Sequence, residues 1–215
     1  ASQELQGDRS IAMRAVASHG SALEFTTTDL RADRAVVAAA VSTHGRALKF
    51  ASDELRGDFE IVMLALSNYG FALEFASEAM RGNEEVVRKA VVHNPEHSSA
   101  IIYAEEPLVS DLEAVQGIAT SIARRYILLR VSLVSGRACL CAIDFLSAFG
   151  AMKASSVAKQ CGHRFEYSTE QLEGATLVSG MTALPPDMAA DEWPGLSAGK
   201  INDIQFVLQA QPSFG

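Results

Sequence analysis

Four short motifs, Leu5-Gln-Gly-Asp8, Leu30-Arg-Ala-Asp33, Leu55-Arg-Gly-Asp58 and Met80-Arg-Gly-Asn83, recur every 25 residues without a gap. Gly20, Gly45 and Gly70 keep the same period, as do Ala22-Leu23-x-Phe25, Ala47-Leu48-x-Phe50 and Ala72-Leu73-x-Phe75. No other feature constrains the fold as tightly. A unit this short cannot bury its apolar side alone, so neighbouring units must stack. Four copies fill about residues 5–104. The fourth decays, with Pro95 in place of the glycine and Ser98 to Ala100 breaking the motif, as expected where an array is capped or meets another domain.

Each repeated position has a physical reading. Asp8, Asp33, Asp58 and Asn83 are helix N-caps, whose side chains accept from the free N–H groups of the next turn. An apolar pattern follows: Ile11, Ala12, Ala15 and Val16 correspond to Val36, Val37, Ala40 and Val41, then to Ile61, Val62, Ala65 and Leu66, then to Val86, Val87, Ala90 and Val91. Offsets of 0, 1, 4 and 5 make one helical stripe, and the fixed alanine lets a neighbouring helix come close. Gly20, Gly45 and Gly70 are expected to stop the helix in the left-handed conformation. Ala-Leu-x-Phe then starts a shorter second helix, with Leu and Phe packing back. His19 and His44 share one position, but Tyr69 and Asn94 follow them there, which a ladder of metal ligands would not tolerate. They read as last-turn residues suited to the helix dipole.

The pattern Leu-x-x-Asp, aliphatic helix, Gly-x-Ala-Leu-x-Phe-Ala-Ser resembles a helical repeat family known as "domain of unknown function four-one-one-six". Ala47-Leu48-Lys49-Phe50-Ala51-Ser52 and Ala72-Leu73-Glu74-Phe75-Ala76-Ser77 carry the likeness best. The resemblance implies an interaction array and no catalytic residue.

Beyond Glu105-Glu106-Pro107 the pattern changes. Ser110-Asp-Leu-Glu113 reads as a capping box. Leu108, Leu112, Val115, Ala119 and Ile122 have helical spacing, with Arg124 and Arg125 at the end, which places a connecting helix over 111–125. Leu129, Val131 and Leu133 then alternate with polar residues up to Ser135-Gly136, and Cys139, Cys141 and Ile143 alternate beyond it, as in a β-hairpin. A helix over about 147–161 ends at Gly162, Arg164 to Tyr167 read as a short strand, and Ile204, Phe206 and Leu208 mark a last strand.

Hairpin, helix, strand and final strand in that order make a β-grasp. The hairpin resembles the first hairpin of ubiquitin, Gln171 to Leu177 resembles the ubiquitin stretch after its third strand, and Asp203 to Gln209 resembles its last strand. Two departures stand out: residues 178–199, with Leu184-Pro-Pro-Asp187 and Trp193-Pro-Gly195, exceed what a simple ubiquitin fold needs, and the sequence closes on Gln-Pro-Ser-Phe-Gly215. Ubiquitin-like modifiers end in Gly-Gly, so the resemblance implies a built-in binding module and not a conjugated tag. The expected fold is α+β: a helical repeat array over 1–105, a connecting helix over 106–126 and a ubiquitin-like β-grasp over 127–215.

Composition narrows the function. The chain of 215 residues is 48% hydrophobic and 20% charged, which suits a packed core. Its net charge of −8 argues against a nucleic-acid partner, because an acidic chain repels phosphate backbones. No apolar run approaches the length of a membrane span. Three cysteines, Cys139, Cys141 and Cys161, argue against a disulfide framework and for a reducing intracellular compartment. Cys139-Leu-Cys141 lacks the second ligand pair of a zinc site and reads as core. Cys161-Gly162-His163 is the one thiol and imidazole pairing that would support a thiol-dependent enzyme, but adjacency in sequence does not give that geometry. With no phosphate loop, metal-ligand pairs or nucleophile motif, no catalytic residue, metal or cofactor is expected.

The expected partners are therefore other protein subunits. In the third unit Phe59, Tyr69 and Phe71 stand where other units carry polar residues, which marks a binding hot spot, a wider core or a seat beneath the second half. Gln205 and Val207 match the strand that bears ubiquitin's binding patch, while Trp193 reads as core. The expected function is a non-catalytic scaffold or adaptor. The alternative is a fixed accessory subunit of a large assembly: the joined pattern resembles algal, especially dinoflagellate, proteins, and that resemblance implies a chloroplast photosystem-antenna complex, peripheral to the membrane. Because the sequence begins at Ala1, a removed transit peptide fits a chloroplast location, and otherwise the cytoplasm is expected.

Overall fold

The computed structural model describes residues 3–92, 100–122, 126–133, 138–144, 161, 175–179, 182–184 and 201–208. Its contacts divide the chain into two compact bodies, residues 1–100 with 104–108, and residues 101–103 with 109–215.

In the described residues the first body is helical. Helices α1 (Gln3–Gly7), α2 (Arg9–Ser18), α3 (Thr28–Arg31), α4 (Arg34–Thr43), α5 (Asp53–Arg56), α6 (Phe59–Asn68), α7 (Glu78–Arg81) and α8 (Glu84–Val92) follow in order. Six-residue 3-10 segments, Gly20–Phe25, Gly45–Phe50 and Gly70–Phe75, follow α2, α4 and α6. The long helices are capped as their sequence demands. Asp8 accepts from the Ser10 and Ile11 N–H groups, Asp33 from Ala35 and Val36, Asp58 from Ile61 and Asn83 from Val86. The sequence pattern leads to only two helices per unit, but there is a third element, a one-turn α-helix over the Leu-Arg motif. Ser52 and Ser77 cap two of these turns, accepting from the Leu55 and Met80 N–H groups.

Successive long helices pack on one another, α2 on α4, α4 on α6 and α6 on α8. Backbone bonds stitch the one-turn helices together: Thr27 N–H donates to the Gln6 carbonyl, Ser52 to Arg31 and Ser77 to Arg56. Polar side chains near the helix ends add to this. The Thr43 hydroxyl donates to the Val16 carbonyl at 3.1 Å, and the Asn68 amide oxygen accepts from the Gly45 N–H at 2.8 Å. The whole stripe of α4 (Val36, Val37, Ala40, Val41) and of α6 (Ile61, Val62, Ala65, Leu66) is buried, as are Leu23, Leu48 and Leu73. The aromatic of Ala-Leu-x-Phe does not share that burial. Phe25 is 67% exposed, Phe50 and Phe75 are half-buried, and Lys49 covers the Phe50 ring at 4.5 Å.

The glycines overturn the left-handed expectation. Neither Gly20 nor Gly45 has a positive φ; each opens a 3-10 segment pressed against the next long helix. A Cβ on Gly20 would overlap the Ala40 carbonyl and come within 2.7 Å of Thr43 Oγ1 and 2.8 Å of His44 Cβ. On Gly45 it would overlap the Ala65 carbonyl and lie 2.8 Å from Tyr69 Cβ. Close approach, and not backbone conformation, demands glycine here. Gly82 is held in the same way against the Glu106 carbonyl, beside the cis Glu106–Pro107 bond.

The second body holds α9 (Leu112–Ile122) and strands β1 (Tyr126–Leu133), β2 (Ala138–Asp144), β3 (Ala175–Ser179), β4 (Thr182–Leu184) and β5 (Ile201–Leu208). The cap of α9 is Asp111, which accepts from the Glu113 and Ala114 N–H groups, and not Ser110 as the capping box would have it. The strands form one sheet in the order β2-β1-β5-β3-β4. β1 and β2 pair antiparallel with Leu129 opposite Cys141, as the period-two pattern requires, and β1 runs parallel to β5 with Val131 beside Ile204. Thr176 and Leu177, in the stretch expected after a strand, themselves lie in one, opposite Val207 and Phe206. Helix α9 packs on β1 and β5, with Val115, Ile118 and Ala119 buried, and the Arg130 Nε donates to the Val109 carbonyl at 3.0 Å. The Ser135-Gly136 turn, residues 147–160, Arg164 to Tyr167, the 185–199 stretch with Trp193, Arg124 and Arg125, and residues 93–99 and 209–215 lie outside the described residues.

The glycine contacts set up a comparison of two substitutions. Gly57 caps α5 at φ −98° and a Cβ there meets nothing closer than 3.4 Å; the equivalent residue is Ala32, at φ −100°. Gly57→Ala is therefore expected to raise stability by about 0.4–1 kcal/mol through loss of unfolded-chain entropy. Gly45→Ala is expected to lower it by about 1–3 kcal/mol by overpacking the contact of the Gly45–Phe50 segment with α6. Denaturant midpoints with unchanged slopes measure both, and equal effects of the two changes would refute the close-approach account.

Candidate interaction surface

The first residues of the long helices form one edge of the first body. Arg9, at the start of α2, donates through Nε to Asp33 at 2.6 Å, and Arg34, at the start of α4, reaches Asp58 at 3.1 Å and Glu60 at 2.6 Å. Each arginine thus bonds the N-cap aspartate of the following helix, a carboxylate already aimed at helix N–H groups. The Arg9 guanidinium holds the Asp33 carboxyl below its ordinary range, the Val36 and Ala35 N–H groups add to this, and partial burial opposes it. Asp33 in turn raises Arg9.

The third long helix, α6, breaks the ladder. Phe59 occupies the position of Arg9 and Arg34, and its side chain is 38% exposed. The other aromatics of the third unit lie at the far end of α6. Tyr69 follows the helix directly and Phe71 is in the next 3-10 segment; both are half-buried, with ring centroids 5.7 Å apart and tilted by 46°. A ten-residue helix separates Phe59 from Tyr69, roughly 15 Å at 1.5 Å per residue. The structure therefore brings Tyr69 and Phe71 together and sets Phe59 apart, giving two patches where the alignment of units suggests one. His19 and His44 cap α2 and α4 at their C-termini with extended backbone and exposed side chains.

Gln205 and Val207 lie on β5, an interior strand. Gln205 pairs with Ser132 on one side and Val178 on the other, and Val207 pairs with Thr176. They belong to the second body. Cys139 and Cys161 are both buried, the latter in helical backbone, while His163 lies outside the described residues.

Two features escaped the sequence reading. A mixed-charge cleft of about 290 Å³ is lined by Asp53, Arg56, Glu74, Ala76, Ser77, Glu78 and Arg81. Its trace in the sequence was the 25-residue spacing of Arg31, Arg56 and Arg81. The second is the open side of α2, where Leu5 and Ile11 are 49% and 44% exposed although their counterparts in later units are buried or nearly so. Among the described residues no helix is long and apolar enough to cross a membrane, and no group of three or more His, Cys, Asp or Glu is placed to hold a metal.

Residues 33–81, from the cap of α4 to the end of α7, match the family model described as Domain of unknown function (DUF4116). No curated protein matches the chain.

The ion ladder predicts a pH signature. Because folding lowers the Asp33 pKa, its pairing stabilises the fold above the ordinary carboxylate range and is lost as pH falls through the folded value. Asp33→Asn keeps a good cap and removes the charge. The wild type should be the more stable at pH 7, by a small margin that salt reduces, and the gap should close as pH falls through the folded Asp33 value. Thermal unfolding at neutral pH and at successively more acid pH measures the gap, and a gap that does not shrink in acid would remove the ion pair as its cause.

Proposed function

We propose that this chain is a non-catalytic scaffold for protein–protein interaction, a solenoid of four 25-residue helical units joined to a ubiquitin-like β-grasp module. The successive packing of α2, α4, α6 and α8 and the family match over residues 33–81 support the first part. The sheet order β2-β1-β5-β3-β4, with the last strand parallel to the first, supports the second, since a β-grasp places its final strand in that way.

One observation carries the binding role. Where α2 and α4 begin with an arginine that bonds the next helix, α6 begins with a phenylalanine left more than one third exposed. An aromatic left partly exposed in a polar row matches the aromatic anchors that dominate protein interfaces. Tyr69 and Phe71 supply a second anchor at the other end of α6. Gln205 and Val207 on β5 are the corresponding contact of the second module.

The chain isolated from its native source is expected to elute well above 23 kDa with the same protein partner in each preparation, identified by mass spectrometry. Phe59→Arg installs the residue of the first two units and should leave folding within about 0.5 kcal/mol. Combined with Phe71→Ser it should weaken partner binding at least about a hundredfold, as loss of two hot-spot residues does. Elution of the unmodified chain alone would overturn the proposal. So would a double variant that binds normally, or one that loses helicity by circular dichroism, since the aromatics would then belong to the fold.

A further inference from the structure

The backbone bonds that stitch the one-turn helices form a row of rungs in which serines alternate with arginines. Ser52 N–H donates to the Arg31 carbonyl, and the Ser52 carbonyl accepts from the Arg56 N–H. Ser77 sits in the same way between Arg56 and Arg81. The last rung differs. Glu105 N–H donates to the Arg81 carbonyl, so Glu105 takes the place that a serine holds in the two rungs before it. Its carboxylate meets the Arg81 guanidinium at 3.3 Å. The row therefore already accepts an anionic group at this place, paired with the arginine of the preceding rung.

Arg56 stands to Ser77 as Arg81 stands to Glu105, but no anion comes to it from the next rung. Its Nη2 bonds Asp53 of its own turn, a carboxylate that is 92% exposed. Its Nε is buried without an acceptor, as is the Nε of Arg81, whereas Arg31 Nε donates to the Thr26 carbonyl at 3.2 Å. There is also room. Ser77 is half-buried and lines the 290 Å³ cleft together with Arg56, Arg81, Asp53, Glu74 and Glu78. Its Oγ lies 3.4 Å from where a Cβ on Gly57 would stand, so the hydroxyl faces a position with no side chain. One rung earlier the equivalent of Gly57 is Ala32. Ser77 thus combines a hydroxyl, open space and an arginine with a donor to spare.

We propose that Ser77 is a phosphorylation site whose phosphate binds Arg56, doing for this rung what Glu105 does for the last. A serine kinase supplies the group from a nucleoside triphosphate. Ser77 Oγ forms a bond to the terminal phosphorus, the bond from that phosphorus to its bridging oxygen breaks, the nucleoside diphosphate leaves, and the hydroxyl proton is released. The phosphate is borne by the chain and not collected from solution. Asp53, Glu74 and Glu78 outnumber Arg56 and Arg81 in the cleft, which does not attract a free anion, whereas covalent attachment needs no such attraction. Once in place, the phosphate offers three acceptor oxygens and nearly two charges, and it displaces the exposed Asp53 carboxylate, whose surface pairing is weak. Arg56 then ties its own unit to the next. The existing cap is kept, since a phosphoserine oxygen accepts from the Met80 N–H as the hydroxyl does.

The test has three arms. Mass spectrometry of the protein purified from its native source with phosphatase inhibitors is expected to find phosphate on Ser77. Next, phosphoserine is installed at position 77 of the full chain by genetic encoding and titrated by phosphorus NMR. Its second ionisation should have a midpoint of about 5, against about 6 for an unpaired phosphoserine, and Arg56→Gln should return it to about 6 or above. Finally, inorganic phosphate added to the unmodified chain at millimolar concentration should leave the Arg56 Nε–H resonance unmoved. Ser77 found unmodified in the native protein would overturn the proposal, as would a midpoint near 6 with Arg56 present or one indifferent to Arg56→Gln. Loss of helicity on installing the phosphoserine would do so too, because the rung would then have no room for it. Binding of inorganic phosphate to the unmodified chain would assign the cleft to a free anion instead.

Discussion

The contact between the glycine that opens a 3-10 segment and the backbone of the next long helix is the constraint on which the first body depends. With Gly20 against the Ala40 carbonyl and Gly45 against the Ala65 carbonyl, there is no room for a single methyl group. This closeness explains the alanine fixed at the centre of every stripe, since a larger side chain there would hold the helices apart. It also lets short side chains bridge the units: the Thr43 hydroxyl and the Asn68 amide reach backbone groups of the preceding unit directly. A single backbone contact thus sets the spacing at which the apolar rails, the ladder of one-turn helices and the arginine-aspartate edge all come into register.

The long helices α2, α4, α6 and α8 pack in succession through their apolar stripes, so a position at their first turn can vary without disturbing that packing. Position 9 of the first unit and its counterparts show this. Arg9 and Arg34 there pair with the cap of the next long helix and phenylalanine has no charge to do so, yet Val86, Val87, Ala90 and Val91 of the next helix, α8, are buried. The apolar stripe seats α8 on α6 without such a pair, as expected if an exposed pair contributes little. That edge position therefore accepts substitution at small structural cost.

Features set by neighbours in sequence were legible before the structure. The N-caps, the apolar stripe and the alternation of β1 and β2 depend on spacings of a few residues, and they stand where the sequence put them. Features set by neighbours in space were not. A glycine at a helix end has two explanations, a left-handed turn or a close approach, and only the position of Ala40 decides between them. The one-turn helices are too short to show a period, although Ser52 and Ser77 were visible cap residues. Ser110 and Asp111 are adjacent and both cap well, so spacing alone could not choose. Phe59, Tyr69 and Phe71 coincide in an alignment of units, but the length of α6 separates the first from the other two.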